Sequence, residues 1–311
     1  MWNGNNMQPV DTIIPAYKNF KIAVLLSVGI MYYPVVSEAS TGDTLQINGE
    51  RIVDGLANAH TLQVLPPEEL IITESGADRI ITFQIRFQKT TIREDAVMKH
   101  SSDSDEEVYV SQLDQPGALA MIMDTYYAVI SNGTGRIHLL DEKMSYMRSL
   151  NVPSWVLNGE TLAPHDITST GIGELFLLDS RHKKIYHFNP NGSYLQYIDI
   201  SRLGKPLALM HAEESLFVSD GDTGLIHVLT ENGHELATIG SFPELARVRV
   251  LDRLIWVISG SVIHLFDIYG DHVGNWRLAG SEEPIRDIAL IDEQLFILTP
   301  GSLYFSGTLL Q

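Results

Sequence analysis

The chain contains no cysteine among its 311 residues. This absence excludes disulfide bonds, thiolate nucleophiles, thiolate metal ligands and a lipid anchor on cysteine. Several motifs that mark other kinds of site are missing as well. There is no HxxxH or DxDxDG string, and nothing resembles a nucleophile elbow, a P-loop or a dinucleotide-binding fingerprint.

Basic residues are scarce. The chain has 21 lysines and arginines against 39 aspartates and glutamates, for a formal net charge of −18. Such an acidic surface repels phosphate backbones and anionic lipid headgroups, so we expect no nucleic-acid partner and no membrane-surface binding. With 44% hydrophobic and 19% charged residues, the composition is that of a folded globular protein.

The apolar segment Ile22–Val36 is 15 residues long, which is fewer than the roughly 20 that a membrane-spanning helix needs. Two lysines precede it, and small residues follow at the positions that suit cleavage after Ala39. We therefore predict a cleaved signal peptide over residues 1–39, with an uncleaved membrane anchor or a folded strand as alternatives. The remaining residues, 40–311, are predicted to form one domain in the periplasm or outside the cell, without further membrane insertion.

A repeated pattern fills most of the chain. Each unit has a short apolar strand that ends in a polar turn and is followed by a strand of the form Ile-x-apolar-apolar. The units begin at Glu69, Tyr126, Glu174, Ser215, Arg253 and Gln294. A period near 40 residues, with about four short strands separated by Gly, Asn and Asp turns, is typical of propeller blades. The fold prediction is all-β: a six-bladed β-propeller of four-stranded blades.

Two insertions and one orphan strand complete this prediction. The polar run Lys89–Glu107 and the loop Asn151–Pro164, which carries Trp155, lengthen two of the units. The sixth unit lacks an outer strand because the chain stops at Gln311. We expect the segment Thr44–Val53 to supply that strand and close the ring, since closure removes exposed sheet edges.

The segment Leu216–Gly240 resembles an NHL repeat: a strand, an Asp-containing turn, Ile-x-apolar-Leu, Asn-Gly, and Ile-Gly. The resemblance extends, less closely, over the chain from about residue 56 onward. It implies the propeller fold. Scaffolds, ligand sensors, lactonases and amidating lyases all resemble it in this way, so the resemblance does not imply one function. The lactonases and lyases among these families place a metal ion at the mouth of the central channel.

His60 and His165 are the candidate metal ligands, because both lie at the beginning of a predicted inner strand near the propeller axis. Asp166 is a candidate third ligand or base, and the ion would be Zn²⁺ or Ca²⁺. The turns on the same face carry further polar residues: Glu74, Asp78, Asp179, His182, Asp220 and Asp222. The favoured interpretation, however, is that Asp and Asn occur in these turns because their side chains bond following amides. We therefore expect no cofactor, with a Zn²⁺ or Ca²⁺ site as the alternative.

Three arginines form a second candidate site. Arg247 and Arg249 share one face of the predicted fifth inner strand, and Arg286 lies in the sixth unit. Together they could bind a carboxylate or another anion. The alternative is that they pair with nearby acids: Glu282, Glu283 or Asp287.

The leading functional hypothesis is a non-catalytic binding or scaffold propeller that recognises a protein, peptide or glycan through one face. Trp155 would be an anchor of that surface. The alternative is a metal-dependent hydrolase or lyase of the lactonase or amidating-lyase type, in which the ion polarises a carbonyl or activates water. A third hypothesis is a component of a larger assembly in the cell envelope.

Overall fold

The computed structural model describes residues 44–65, 69–84, 94–96 and 113–306. The predicted signal peptide and most of the polar run Lys89–Glu107 lie outside the described residues. In the part of the chain that is described, no helix is long and apolar enough to cross a membrane.

The described strands form six sheets, and each sheet contains one blade of four antiparallel strands. Two strands precede the blades, β1 (Thr44–Ile47) and β2 (Glu50–Asp54). Blade one has β3 (Ala59–Leu65), β4 (Glu69–Glu74), β5 (Arg79–Gln84) and β6 (Glu94–Ala96); blade two has β7 (Pro116–Ile122), β8 (Tyr126–Ser131), β9 (Arg136–Leu140) and β10 (Tyr146–Leu150); blade three has β11 (Pro164–Ser169), β12 (Leu175–Asp179), β13 (Lys184–Phe188) and β14 (Tyr194–Asp199).

The remaining three blades follow the same order along the chain. Blade four has β15 (Pro206–Ala212), β16 (Ser215–Asp220), β17 (Leu225–Thr230) and β18 (Glu235–Ile239); blade five has β19 (Leu245–Leu251), β20 (Leu254–Ser259), β21 (Val262–Asp267) and β22 (His272–Leu278); blade six has β23 (Asp287–Ile291), β24 (Gln294–Leu298) and β25 (Ser302–Ser306). The first strands of the blades contact one another in a closed cycle, from β3 through β7, β11, β15, β19 and β23 back to β3. The predicted six-bladed β-propeller is confirmed.

The turns between the first and second strands of blades four, five and six are tight two-residue turns. Both central residues have positive φ in each turn: Glu213 and Glu214, Asp252 and Arg253, Asp292 and Glu293. Two consecutive positive φ values define the hairpin turn whose twist matches that of the flanking strands. None of these turns contains glycine, so the usual sequence signal for this turn is absent here.

The hydrophobic core lies between blades. Six clusters of buried side chains are present among the described residues, and each is formed mainly by two neighbouring blades. Leu62 and Ala289, for example, pack in the cluster between blades one and six. The fully buried side chains of Trp256, Tyr186 and Phe176 each contribute about 1.5–3 kcal/mol through burial. Each blade is therefore held mainly by its neighbours.

The segment predicted as one closing strand forms two strands in different blades. β2 pairs antiparallel with β25 and is the outer strand of blade six. β1 pairs in parallel with β22 and is a fifth strand of blade five. The expectation that residues 44–47 belong to blade six is therefore wrong. Ile47 is 3% exposed in the core between blades five and six, and its burial explains why β1 crosses to the neighbouring blade.

Candidate functional site

A cluster of charged side chains lies on the ring of first strands. Arg249 of blade five donates two hydrogen bonds to Asp287 of blade six, from Nε to Oδ1 at 2.7 Å and from Nη2 to Oδ2 at 2.5 Å. Asp287 is fully buried. Although burial alone raises the pKa of a carboxyl group, the charges of Arg249 and Arg247 hold the pKa of Asp287 below its ordinary value.

Asp287 also ties the ring together through backbone amides. Its Oδ2 accepts a hydrogen bond from the N–H of Leu62 in blade one, at 2.9 Å. Its Oδ1 accepts one from Ile288, also at 2.9 Å. One aspartate therefore joins blades five, six and one.

Asp166 makes the corresponding connection between blades three and four. Its Oδ2 accepts a hydrogen bond from the N–H of Leu209 at 2.8 Å, and its Oδ1 accepts one from Ile167 at 3.0 Å. Arg247 lies between the two aspartates, with Nη1 3.6 Å from Asp287 Oδ2 and 4.0 Å from Asp166 Oδ1. The sequence signal for this arrangement is an Asp-Ile pair at the same place in two first strands.

The two histidines of the predicted metal site lie next to this cluster. His60 is partly buried and His165 is exposed. The pKa of the His60 ring is lowered to about 4, first by burial and then by the positive charge of Arg247. His165 acts on His60 electrostatically in the same direction, whereas Asp166 and Asp287 oppose the shift. The structure therefore brings His60, His165 and Asp166 to one region of the molecule.

This donor set fits a metal ion poorly. Both oxygens of Asp166 accept hydrogen bonds from backbone amides, and the guanidinium of Arg247 repels a cation at the same place. Among the residues that the structure describes, no group of three or more His, Asp or Glu side chains has the geometry to hold a metal. Metal ligation by His60, His165 and Asp166 remains a prediction.

The three arginines of the predicted anion site have different environments. Arg249 donates two hydrogen bonds to Asp287. Arg247 is 8% exposed and lies between the carboxylates of Asp166 and Asp287. Arg286 is exposed. The pairing with Asp287, which the sequence also suggested, is present. Anion binding by this group remains a prediction.

Carboxylates at the ends of second strands have a repeated structural task. Glu74 Oε1 accepts a hydrogen bond from the N–H of Ala57, and Asp179 Oδ2 accepts one from Ala163. Asp220 accepts hydrogen bonds from two successive amides of the loop that enters blade four. In each case the acid at the end of the second strand fastens the loop that leads into its own blade. Turn and loop chemistry accounts for these positions.

A separate polar and aromatic region surrounds the insertion between blades two and three. Trp155 is 74% exposed, and its ring meets Tyr194 of β14 edge-on, with 6.3 Å between centroids. Tyr197 of the same strand is 44% exposed, and the Lys184 ammonium lies 4.4 Å from the centre of its ring. We call Trp155, Tyr194 and Tyr197 the aromatic surface.

The insertion is firmly attached to the propeller. Val152 and Val156 are buried in the core between blades two and three, and Lys184 Nζ lies 3.4 Å from the carbonyl oxygen of Val156. Nearer the end of the loop, the His182 ring bridges two carboxylates. Its Nδ1 is 2.6 Å from Asp179 Oδ2, and its Nε2 is 2.6 Å from Glu160 Oε2.

The bridge also affects the ionisation of His182. Partial burial by itself lowers the pKa of the ring, but the hydrogen bonds and negative charges of Asp179 and Glu160 raise it above the ordinary value. Sequence reasoning placed Asp179 and His182 on one face and missed Glu160. No local signal marks Glu160, because it approaches His182 only when the insertion folds back onto blade three.

A half-open pocket of about 340 Å³ is lined by blade two and by the same insertion. Its walls come from blade two and from both ends of the loop. They include Gly135, Arg136, Ser149, Leu150, Leu157 and Leu162. Leu157 of this lining follows Trp155 of the aromatic surface by two residues in the chain.

Comparison with protein-family models and with curated proteins gives no match. Solved structures do resemble the chain. A gluconolactonase from Xanthomonas campestris aligns over 82% of this chain and 87% of its own, with 16% identity and a TM-score of 0.60.

Two further structures illustrate the range of proteins with this architecture. A streptogramin B lyase aligns over 83% of this chain and 96% of its own, with 12% identity and a TM-score of 0.56. A chain of a nidogen/laminin complex aligns over 71% of this chain and 81% of its own, with 12% identity and a TM-score of 0.58. At such identities the likeness concerns the fold alone, and the chain has the fold of the six-bladed, NHL-like β-propellers.

Proposed function

We propose that the protein is an exported, non-catalytic binding propeller that recognises a protein or peptide through the aromatic surface. The observation that carries this proposal is the position of Trp155, which is 74% exposed on a loop anchored by buried valines. An exposed tryptophan held in place loses little conformational entropy when a partner covers it. Tryptophan and tyrosine are also the side chains that dominate binding energy at protein interfaces.

The chemistry at the axis supports a binding role elsewhere on the molecule. Asp166 and Asp287 accept backbone hydrogen bonds that join neighbouring blades, and Arg249 is committed to Asp287. Residues with these structural duties are poorly placed to change ligands or protonation during a reaction. Trp155 has no comparable duty in the fold, because its side chain is 74% exposed.

Export remains part of the proposal. It is supported by the apolar segment before Ala39, which has the length and flanking residues of a signal peptide.

The test is affinity purification with the purified propeller as bait, followed by quantitative mass spectrometry. The wild type is compared with Trp155→Ala and with Tyr269→Ala, whose tyrosine is 52% exposed on blade five. A partner of the aromatic surface is lost with Trp155→Ala and retained with Tyr269→Ala. The proposal is wrong if every partner of the wild type is recovered equally with both variants.

A metal-dependent hydrolase or lyase is the second candidate. It is favoured by the approach of His60 and His165 to Asp166, and by the lyase and gluconolactonase among the similar structures. In that case His60 and His165 would hold Zn²⁺ or Ca²⁺, and Asp166 would be a ligand or base. The positive charge of Arg247 opposes this arrangement.

A further inference from the structure

We propose that the pocket lined by blade two and the insertion binds the C-terminal residue of a peptide, with an apolar side chain inside and the free carboxylate on Arg136. This inference rests on the proposed function and adds the class of ligand to it. The starting observation is that one cavity brings together two kinds of wall, apolar side chains and a single arginine.

The apolar wall consists of Leu150, Leu157 and Leu162. Leu150 is buried, whereas Leu157 and Leu162 are partly buried and pack against the core between blades two and three. The cavity volume of about 340 Å³ lies at the lower end of the range for ligand pockets. It is large enough for one aliphatic or aromatic side chain and too small for a folded domain to enter.

The polar wall contains Arg136, at the beginning of β9, and Ser149. Arg136 is exposed, and no carboxylate of the described residues forms an ion pair with it. Guanidinium groups bind carboxylates through two parallel hydrogen bonds, so a carboxylate is the group that best complements this wall.

The C-terminal residue of a peptide can contact the apolar wall and the polar wall at the same time. In a C-terminal residue the carboxylate and the side chain branch from the same Cα atom, so both can occupy a cavity of this size. In an internal aspartate or glutamate the carboxylate is the end of the side chain, and no apolar group accompanies it.

The experiment measures fluorescence anisotropy with labelled peptides that end in leucine, phenylalanine, alanine or aspartate, drawn from a library with varied preceding residues. Each sequence is made with a free C-terminus and with an amidated one. We expect peptides ending in leucine or phenylalanine to bind at least about tenfold more tightly as free acids, as the loss of a charged hydrogen-bonded pair predicts. Arg136→Gln should abolish this difference, whereas the exposed Arg253→Gln should preserve it.

Circular dichroism and thermal melting establish that the variants are folded. Equal affinity for the acid and the amide, or a preference that survives Arg136→Gln, overturns the inference, as does the absence of binding by every free-acid peptide. Preference for a terminal aspartate would show that charge alone is recognised and would also overturn it. The affinity purification with Trp155→Ala tests the proposed function separately, because its outcome does not depend on the C-terminal residue of the partner.

Discussion

Arg249 and Asp287 join blades five and six through two hydrogen bonds, and the same carboxylate accepts a hydrogen bond from the N–H of Leu62 in blade one. A single ion pair at the axis therefore holds three of the six blades. The pair lies beside the contact between blades six and one, where β2 completes blade six and leads directly into β3. Its loss should weaken closure more than the loss of an equally buried pair within one blade.

The first prediction concerns this pair. Arg249→Met leaves the buried carboxylate of Asp287 without its main counter-ion, so the free energy of unfolding should fall by about 3–5 kcal/mol. Urea denaturation followed by tryptophan fluorescence measures the change. Arg286→Gln removes an exposed arginine next to Asp287 in the chain and should alter stability by no more than about 0.5 kcal/mol. Similar losses in both variants would contradict the assignment.

The second prediction concerns acid stability. His60 has a pKa of about 4 in the folded protein, against an ordinary value of 6.5. The unfolded chain therefore binds a proton between pH 6.5 and 4 that the folded chain does not, so stability should fall as the pH falls through this window. The upper limit of the effect is about 3.5 kcal/mol, from about 1.4 kcal/mol for each of 2.5 pKa units.

Urea midpoints at a series of pH values test this effect in the wild type and in His60→Gln. The variant should show a shallower loss of stability between pH 6.5 and 4. Below that window both proteins should still lose stability, because Asp287 has a lowered pKa and its contribution disappears as it becomes protonated. An identical slope in the two proteins across the window would show that His60 is not held in its neutral form.

The third prediction concerns the attachment of the insertion. The pKa of His182 is raised by Asp179 and Glu160, so the protonated ring stabilises the folded loop at low pH. This contribution is present below the pKa of the unfolded chain and is lost as the pH rises through the folded pKa. Hydrogen exchange of residues 152–162, corrected for the intrinsic pH dependence, should therefore show stronger protection near pH 6 than near pH 8.

His182→Gln should remove the pH dependence of this protection. Glu160→Gln removes only the outer carboxylate, whose side chain is 65% exposed, and should reduce the dependence without abolishing it. Unchanged exchange in His182→Gln would show that the buried valines alone hold the loop.

The fourth prediction separates the two candidate functions. The purified protein should contain no stoichiometric Zn²⁺ or Ca²⁺ after dialysis against metal-free buffer, because Arg247 opposes a cation beside Asp166. Elemental analysis by mass spectrometry measures this. One equivalent of metal that disappears in both His60→Ala and His165→Ala would overturn the binding proposal in favour of the metal-dependent enzyme.

Much of the fold could be predicted because a propeller repeats one local pattern. The spacing of Leu175, Leu216, Leu254 and Leu295 reports the distance between second strands, and this spacing depends only on the lengths of strands and turns. The division of the N-terminal segment between two blades could not be read in this way. β1 and β2 both look like edge strands, and their partners lie more than 200 residues away in the chain.

The candidate site shows the same contrast. The sequence indicated that His60, His165, Asp166, Arg247 and Arg249 lie on first strands, and these strands form one ring. It could not decide that Asp287 rather than Glu282 or Glu283 pairs with Arg249, because all three acids are close in sequence. The decision comes from register: Asp287 is fully buried at the beginning of β23, whereas Glu282 and Glu283 remain exposed.

The sequence by itself determined the absence of thiol chemistry, the acidic surface, the number of blades and the position of Trp155 on an insertion. These properties follow from composition and from local periodicity, which need no long-range contact. Only the tertiary structure decided which charges neutralise one another at the axis and that Glu160 meets His182. It also decided that the insertion and Arg136 line one pocket. Each of these results depends on groups from distant parts of the chain meeting within a few ångströms, and local sequence preferences do not specify such distances.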